Sequence, residues 1–411
     1  MRASTERILT THVGSLPRSQ EVIDLLFAQD RGEKYNEEQF EEVMRNAVEE
    51  AVKSQSEAGI DIPSDGEMSK ISYATYVRRR LTGLEYNSRP PIPKDVEDFP
   101  EYRAWWIARA LGRMLRPSES FQRLPDAPLT AYRRPTCKEA ITVKDLKPLE
   151  QDIAHLKAAL SKRNVAEGFV NSVSPGTIAV FLPNEYYSSH EAFLEALANA
   201  MRQEYEAIVS SGLLLQVDCP DLAMGRHTRY RDLSDEEFLN YVELHVEALN
   251  HALVNLPPDR VRLHVCWGNY EGPHVNDIDF RKILPIVLKA RPMALLVEGA
   301  NPRHEHEWEV WTKVKLPDDK ILVPGVIASS INYVEHPQVV AQRIVRYAQA
   351  VGRERVIAGS DCGFGPFAGF GLVYPGLCWM KFRALSEGAR IASEQLWGRS
   401  FSASSGVYGA A

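Results

Sequence analysis

Short apolar runs alternate with longer amphipathic stretches along this chain, and eight such pairs can be counted. The apolar runs are Ile8 to Thr11, Ile60 to Ser64, Phe169 to Val173, Leu213 to Asp218, Val261 to Cys266, Met293 to Glu298, Ile321 to Val326 and Val356 to Cys362. Runs this short and continuous suit parallel strands buried on both faces. The stretches between them carry helix punctuation. Asn36 with Gln39 opens a helix that ends at Gly59, Ser188 with Glu191 opens one that ends at Gly212, and Ser234 with Glu237 starts a third. Eight strand-then-helix units predict an α/β protein, a (β/α)₈ TIM barrel. A doubly wound open sheet is the competing architecture, but no glycine-rich phosphate turn follows the first strand. The proline-rich stretch from Leu84 to Lys147, which holds Trp105 and Trp106, reads as an insertion after strand two. There it would form a lid over the mouth, an oligomer contact or a surface embellishment. Residues 1–400 are therefore expected to form one catalytic barrel with an insertion at about 84–147, and 401–411 a C-terminal tail.

Composition narrows the partners. A formal charge of −7 argues against nucleic acid and anionic membranes. No apolar run is long enough to span a bilayer, and the opening Met-Arg-Ala-Ser-Thr-Glu-Arg lacks the apolar core of a secretion signal. Five cysteines, an odd number scattered through 411 residues, suggest reduced thiols and a cytoplasmic setting.

Chemistry in such a barrel is built where the strands end, so the strand exits are the informative positions. Three of them carry residues that ligate zinc: His264 and Cys266, then Glu298, then Cys362. One imidazole, two thiolates and a carboxylate make a tetrahedral zinc set, and two thiolates disfavour magnesium and calcium. His264 and Cys266 stand at i and i+2 of a strand, so they point the same way. The ligands lie far apart in sequence, so the fold must assemble them, as in a catalytic centre. An ordinary buried cysteine, or a salt bridge from Glu298 to Arg303, is the plainer reading of each residue alone. His304 and His306 are rival ligands or the polar start of the next helix. Other exits deliver His12 and Ser15, Asp65 and Glu67, Asn171, and Asp218, and the loop after strand seven runs Ala328 to Asn332. His12, Ser15, Asp65, Glu67 and Asp218 are the candidate substrate-binding set.

The ordered motifs Thr-Thr-His-Val-Gly-Ser-Leu-Pro-Arg, Asp65-Gly66-Glu67, Gln-Val-Asp218, His264-Val-Cys266, Glu298 and Asp361-Cys362-Gly363 resemble the catalytic C-terminal half of cobalamin-independent methionine synthase. Single-barrel relatives of that family include epoxyalkane:coenzyme M transferase. The resemblance implies zinc on His264, Cys266, Glu298 and Cys362, and an amino-acid thiol held by Ser15, Glu67 and Asp218. It implies a zinc-dependent alkyl (methyl) transferase that activates a substrate thiol as a zinc thiolate for attack on an electrophilic carbon. Its partners would be a small-molecule thiol and an alkyl donor, and a homo-oligomer is compatible with the insertion. Two segments depart from the family: Ser174 to Asn184 lacks its folate-ring tryptophan, and Ala328 to Asn332 lacks its proton-donating histidine. His12 and Tyr186 are the candidate proton donors in its place. Zinc-assisted hydrolysis or lyase chemistry on a small carboxylate, without a thiol, is the alternative; a non-catalytic zinc-stabilised barrel is a third.

Overall fold

In the computed structural model, which describes residues 1–88, 92–105 and 134–401, parallel strands form a sheet that curls on itself. Its strands are β1 (Leu9–Thr10), β4 (Phe169–Val173), β5 (Leu214–Asp218), β6 (Val261–His264), β7 (Ala294–Val297), β8 (Ile321–Ile327) and β9 (Ile357–Ser360). They are ordered β1-β9-β8-β7-β6-β5-β4. The predicted strand at Ile60 to Ser64 appears as two parallel bridges, Thr11 with Ile62 and Ser64 with Phe169. These join β1 to β4 and close the ring, so the eight predicted strand positions all find a place in it. Pro63 explains why no regular ladder forms there, since it has no N–H to donate. Its carbonyl still accepts from Phe169 N at 3.0 Å.

The helices follow the punctuation. Between β1 and the insertion come α1 (Gln20–Asp30) and α2 (Glu37–Glu57), the latter capped by Asn36. The insertion contributes β2 (Leu84–Ser88), α3 (Lys94–Glu97) and β3 (Arg134–Cys137), with β2 and β3 antiparallel. Then follow α4 (Lys147–Leu160), α5 (Pro175–Phe181), α6 (His190–Ser210), α7 (Asp235–Ala252), α8 (Phe280–Val287), α9 (Pro337–Val351) and α10 (Pro375–Trp397). Ser234 and Glu237 form a full capping box on α7. The cap of α6 is Ser189 rather than Ser188, a one-residue difference in which the neighbouring hydroxyl accepts from Ala192 N.

Period-2 alternation divides the strands between two cores. Leu214, Ala294, Leu296, Ile321, Val323 and Ile357 fill the barrel interior with Phe169, while Leu215, Val217, Leu263, Leu295 and Val297 pack outward against the helices. The same alternation aims Gln216 and Asp218, Arg262 and His264, and Glu298 at the barrel axis. Above an apolar floor, then, the barrel becomes polar toward the C-terminal strand ends.

The insertion packs on loops at that end. Asp95 accepts from Tyr270 Oη at 2.8 Å and from His274 N at 2.6 Å. Glu97 pairs with Arg231, and the Tyr102 hydroxyl donates to the Glu271 carbonyl. Trp105 is exposed, whereas Trp106 and the expected tail beyond Phe401 lie outside the described residues.

Gln55, buried on α2, fastens the ladderless segment. Its Oε1 accepts from Ser64 N at 2.9 Å and meets His12 Nε2 at 2.6 Å, while its Nε2 donates to Ser64 O at 2.9 Å. Gln55→Leu would strand three buried polar groups, at about 1–3 kcal/mol each. A loss of about 3–5 kcal/mol in urea unfolding is expected; a loss below about 1 kcal/mol would contradict this role.

Candidate metal centre

His264, Cys266 and Cys362 bring one ligand atom each to within 4.8 Å of one another. His264 and Cys266 come from β6 and its end, and Cys362 from just beyond β9. The two sulfurs lie 3.8 Å apart. Bonds of about 2.3 Å at a tetrahedral angle place two zinc-bound sulfurs about 3.8 Å apart, so the donor set fits zinc.

The imidazole is oriented from the next strand. Asp218 and His264 are register partners on β5 and β6, and His264 Nδ1 donates to Asp218 Oδ1 at 3.1 Å. That leaves Nε2 facing the sulfurs, buried and without a hydrogen-bond partner among the described residues. A carboxylate behind a histidine in this way fixes the tautomer and raises the basicity of a metal ligand. Asp218 is itself held, accepting from Gln216 Nε2 at 2.9 Å and from Asn171 Nδ2 at 3.0 Å.

Electrostatics agree with a cation's place. The neighbouring Cys266 thiol, donating to Cys362, and the His264 ring together lower the Cys362 thiol to about 6 against its burial. The same contact pushes Cys266 well up. Burial alone would lower His264, but the hydrogen bond to Asp218 and the nearby Cys362 sulfur raise it to about 10. Protons therefore stand where a divalent ion would bind, and metal binding would release them.

Glu298 stands beside this set rather than within the group of three. Its Oε1 accepts from Trp267 N at 2.8 Å and its Oε2 from Asn301 Nδ2 at 2.6 Å. Arg303, the partner considered from sequence, is exposed, and among the described residues no ion pair joins it to Glu298. Burial raises the Glu298 carboxyl, and its charge is felt by Cys266. His304 is not a rival ligand in this arrangement. It stacks on Trp267 with ring centroids 4.3 Å apart and meets Asp277 Oδ2 at 2.9 Å, just before a 3₁₀ helix that begins at Glu305. His306 is exposed.

The remaining rim residues divide. Ser15 is buried against the backbone of Gly363 and Gly365, beside Cys362. Asp65 Oδ1 accepts from Glu67 N at 3.0 Å, bracing a turn in which Gly66 and Glu67 both have positive φ, 68° and 57°. A side chain held there costs about 1–3 kcal/mol and marks a site whose surroundings dictate its position. Glu67 Oε2 is buried without a partner among the described residues. Burial, reinforced by Asp218, raises its carboxyl to about 8 in spite of Lys70.

His12 is a different case and corrects its reading as substrate ligand and proton donor. It is 0% exposed, Nε2 is engaged by Gln55, and Nδ1 accepts from Gly14 N at 3.1 Å. Burial lowers it to about 3, so the ring is neutral and its nitrogens are committed to holding the strand. Tyr186 is 52% exposed, with its ring set edge-on against Tyr187, so its hydroxyl is a surface group. The sequence reading missed Tyr73, which lines a small cavity with Asp218, Asn171 and Lys70. Burial, then the nearby Cys266, keep its phenol protonated. No spacing rule marks a tyrosine six residues after Glu67.

A closed α/β barrel that gathers a histidine, two cysteines and acidic groups at its C-terminal rim carries its polar chemistry where barrel enzymes build their sites. Among known proteins, the family described as the cobalamin-independent synthase catalytic domain matches residues 8–89. The methionine synthase of Saccharolobus solfataricus is 24% identical over 96% of this chain and 97% of its own. That of Sulfolobus acidocaldarius is 25% identical over 86% of this chain and 85% of its own. In fold, a B12-independent methionine synthase from Shewanella sp. W3-18-1, solved in complex with selenomethionine, superposes with a TM-score of 0.70 at 18% identity, covering 96% of this chain and all of that one. A putative vitamin-B12-independent methionine synthase from Listeria monocytogenes gives a TM-score of 0.60 at 17% identity, covering 93% and 98%. The chain is thus similar to cobalamin-independent methionine synthases, over residues 8–89 by the family's own pattern and over nearly its whole length in fold.

Glu67 yields a signed pH prediction. Its carboxyl lies near 4.5 in the unfolded chain and about 8 when folded. The folded state thus holds a proton that the unfolded state releases, and stability falls as pH rises between those values. Glu67→Gln should melt above wild type at pH 8 and alongside it below pH 4. A constant difference across that range would contradict the shift.

Proposed function

We propose that the protein is a zinc-dependent thiol S-alkyltransferase that acts in the manner of methionine synthase. The observation that carries this reading is the pair of sulfurs at 3.8 Å joined at the barrel rim by an imidazole that Asp218 orients. His264, Cys266 and Cys362 are the proposed ligands, with Glu298 as the fourth. When bound there, zinc with two thiolate ligands would hold a substrate thiol deprotonated yet nucleophilic at neutral pH, where a free thiol of pKa about 8.5 is mostly protonated.

The chain's own residues bind and orient the reactants. Glu67 and Asp218 offer carboxylates to a substrate ammonium, and binding that cation would hold Glu67 ionised against its burial. Ser15 and Asp65 shape the wall on which these groups sit. Tyr73, partly buried at the rim with its phenol held protonated, offers a proton to an oxygen leaving group, the task first considered for His12 and Tyr186. Fixing both reactants at one mouth removes much of the entropic barrier to a bimolecular step, several kcal/mol in well-oriented cases. The relatives named methionine synthase, and the Shewanella protein's selenomethionine complex, support an amino-acid thiol as acceptor and a methyl group as the alkyl unit.

Five free thiols suit a reducing compartment, here proposed as the cytoplasm. Among the described residues no helix is long and apolar enough to cross a membrane.

Zinc analysis of purified variants tests the proposal. Cys266→Ser and Cys362→Ser should each lose tight zinc and at least 100-fold in thiol alkylation, and thiol titration of the wild type should release protons. Full zinc in either variant would remove the ligand assignment. Turnover without any thiol would favour the hydrolase or lyase reading.

A further inference from the structure

A second group of metal-binding side chains lies in the helical layer outside the barrel. His245 on α7 and His190 at the start of α6 face each other, Nε2 to Nε2, at 3.0 Å. Tyr230, in the segment between β5 and α7, points its hydroxyl at both, 3.4 Å from His245 Nε2 and 3.5 Å from His190 Nε2. Behind His245, Nδ1 meets Asp221 Oδ2 at 2.9 Å. Asp221 is fully buried and accepts from Ser174 Oγ at 2.8 Å and Thr177 Oγ1 at 2.5 Å. The backbone makes room for this pair at Gly176, where a Cβ would lie 2.2 Å from Asp221 Oδ2 and 2.7 Å from the His245 ring.

The distances decide between two readings. In a plain hydrogen-bond relay the phenol would sit close to one nitrogen, at about 2.7–3.0 Å. It instead stands nearly equidistant from two, too far for a good bond to either. Three donors bonded at about 2.0–2.1 Å to one ion have edges of about 2.9 Å at right angles and about 3.4 Å at tetrahedral angles. Two of the observed edges, 3.0 and 3.4 Å, fall in that range, and the third, 3.5 Å, lies just above it.

We propose that His190, His245 and Tyr230 form a second metal site, for a divalent first-row transition ion such as zinc, with Asp221 orienting His245 from behind. Two imidazoles and a phenol oxygen suit zinc, copper or nickel and not calcium or magnesium. The carboxylate–histidine arrangement is the one that orients metal-bound imidazoles. The His190 ring turns Nε2 toward both His245 and Tyr230, as a ligating imidazole would. His190 is only partly buried, which leaves a path for the ion and for water as the remaining ligand. Asp221 offsets the positive charge of Arg229, which also bears on His190. Burial keeps the Tyr230 phenol protonated in the metal-free protein, so its ligation as phenolate passes one proton to solvent.

The test is a zinc titration of the full chain by equilibrium dialysis, with metal counted by mass spectrometry. Wild type should saturate at two equivalents. The Cys266→Ser/Cys362→Ser double variant should keep one, which separates this site from the thiolate centre. His190→Ala, at a partly exposed helix start where folding is checked by circular dichroism, should bind that equivalent at least tenfold more weakly. Tyr230→Phe, which keeps the ring, should weaken it in the same sense. With cobalt, the surviving equivalent of the double variant should show d–d bands without thiolate charge transfer. Retention of wild-type affinity in both His190→Ala and Tyr230→Phe, or no bound zinc in a folded double variant, would leave a hydrogen-bond relay and overturn the proposal.

Discussion

Everything at the barrel mouth depends on the parallel register between β5 and β6, which sets Asp218 beside His264. In a closed parallel ring each strand shows alternate side chains to the axis, and a one-residue slip would turn both groups outward. The register therefore fixes several things together. Asp218 meets the imidazole, His264 shares a face with Cys266, and Gln216 and Arg262 lie one layer deeper. The hydrogen bond between Asp218 and His264 then decides which nitrogen turns to the sulfurs. The proposed ligands, gathered from separate strand ends, need this kind of imposed geometry, because no local turn brings the residues together.

The rim is also where the molecule accepts strain. Glu67 sits at positive φ with a buried carboxylate oxygen that has no partner among the described residues, and two cysteine sulfurs are held 3.8 Å apart. Each arrangement opposes folding and is held in place by rigid surroundings: the Asp65 turn, the Gln55 clamp on Ser64, and ordinary core packing below. A cation bound against these groups would relieve the cost of burying them, which would link ligand binding to stability. Three histidines gathered on Asp277 near Trp267 secure the loop after β6.

Much of this was legible in the sequence. Continuous apolar runs marked strand positions around the barrel, and the i, i+2 spacing of His264 and Cys266 gave their common direction. The caps of α2 and α7 followed from Asn36 and Ser234, whose side chains act locally. What was hidden depended on tertiary placement. The ladderless segment at Pro63 needed knowledge of its bridges. His12 looked reactive because it follows a strand, yet its surroundings are Gln55, Phe169 and Phe382, and only burial reveals it as a neutral strut. Glu298 read as a ligand, and its present partners, Trp267 N and Asn301, come from a neighbouring strand end and from its own loop. Tyr73 carried no signal, because its value lies in the cavity it lines.

X-ray absorption at the zinc edge tests the central claim most directly, on protein loaded with one equivalent of zinc. The account predicts two sulfur scatterers at about 2.3 Å with the remaining ligands nitrogen or oxygen at about 2.0–2.1 Å, and a third sulfur once a thiol substrate is added. A first shell of nitrogen and oxygen alone, or one unchanged by saturating thiol, would contradict it.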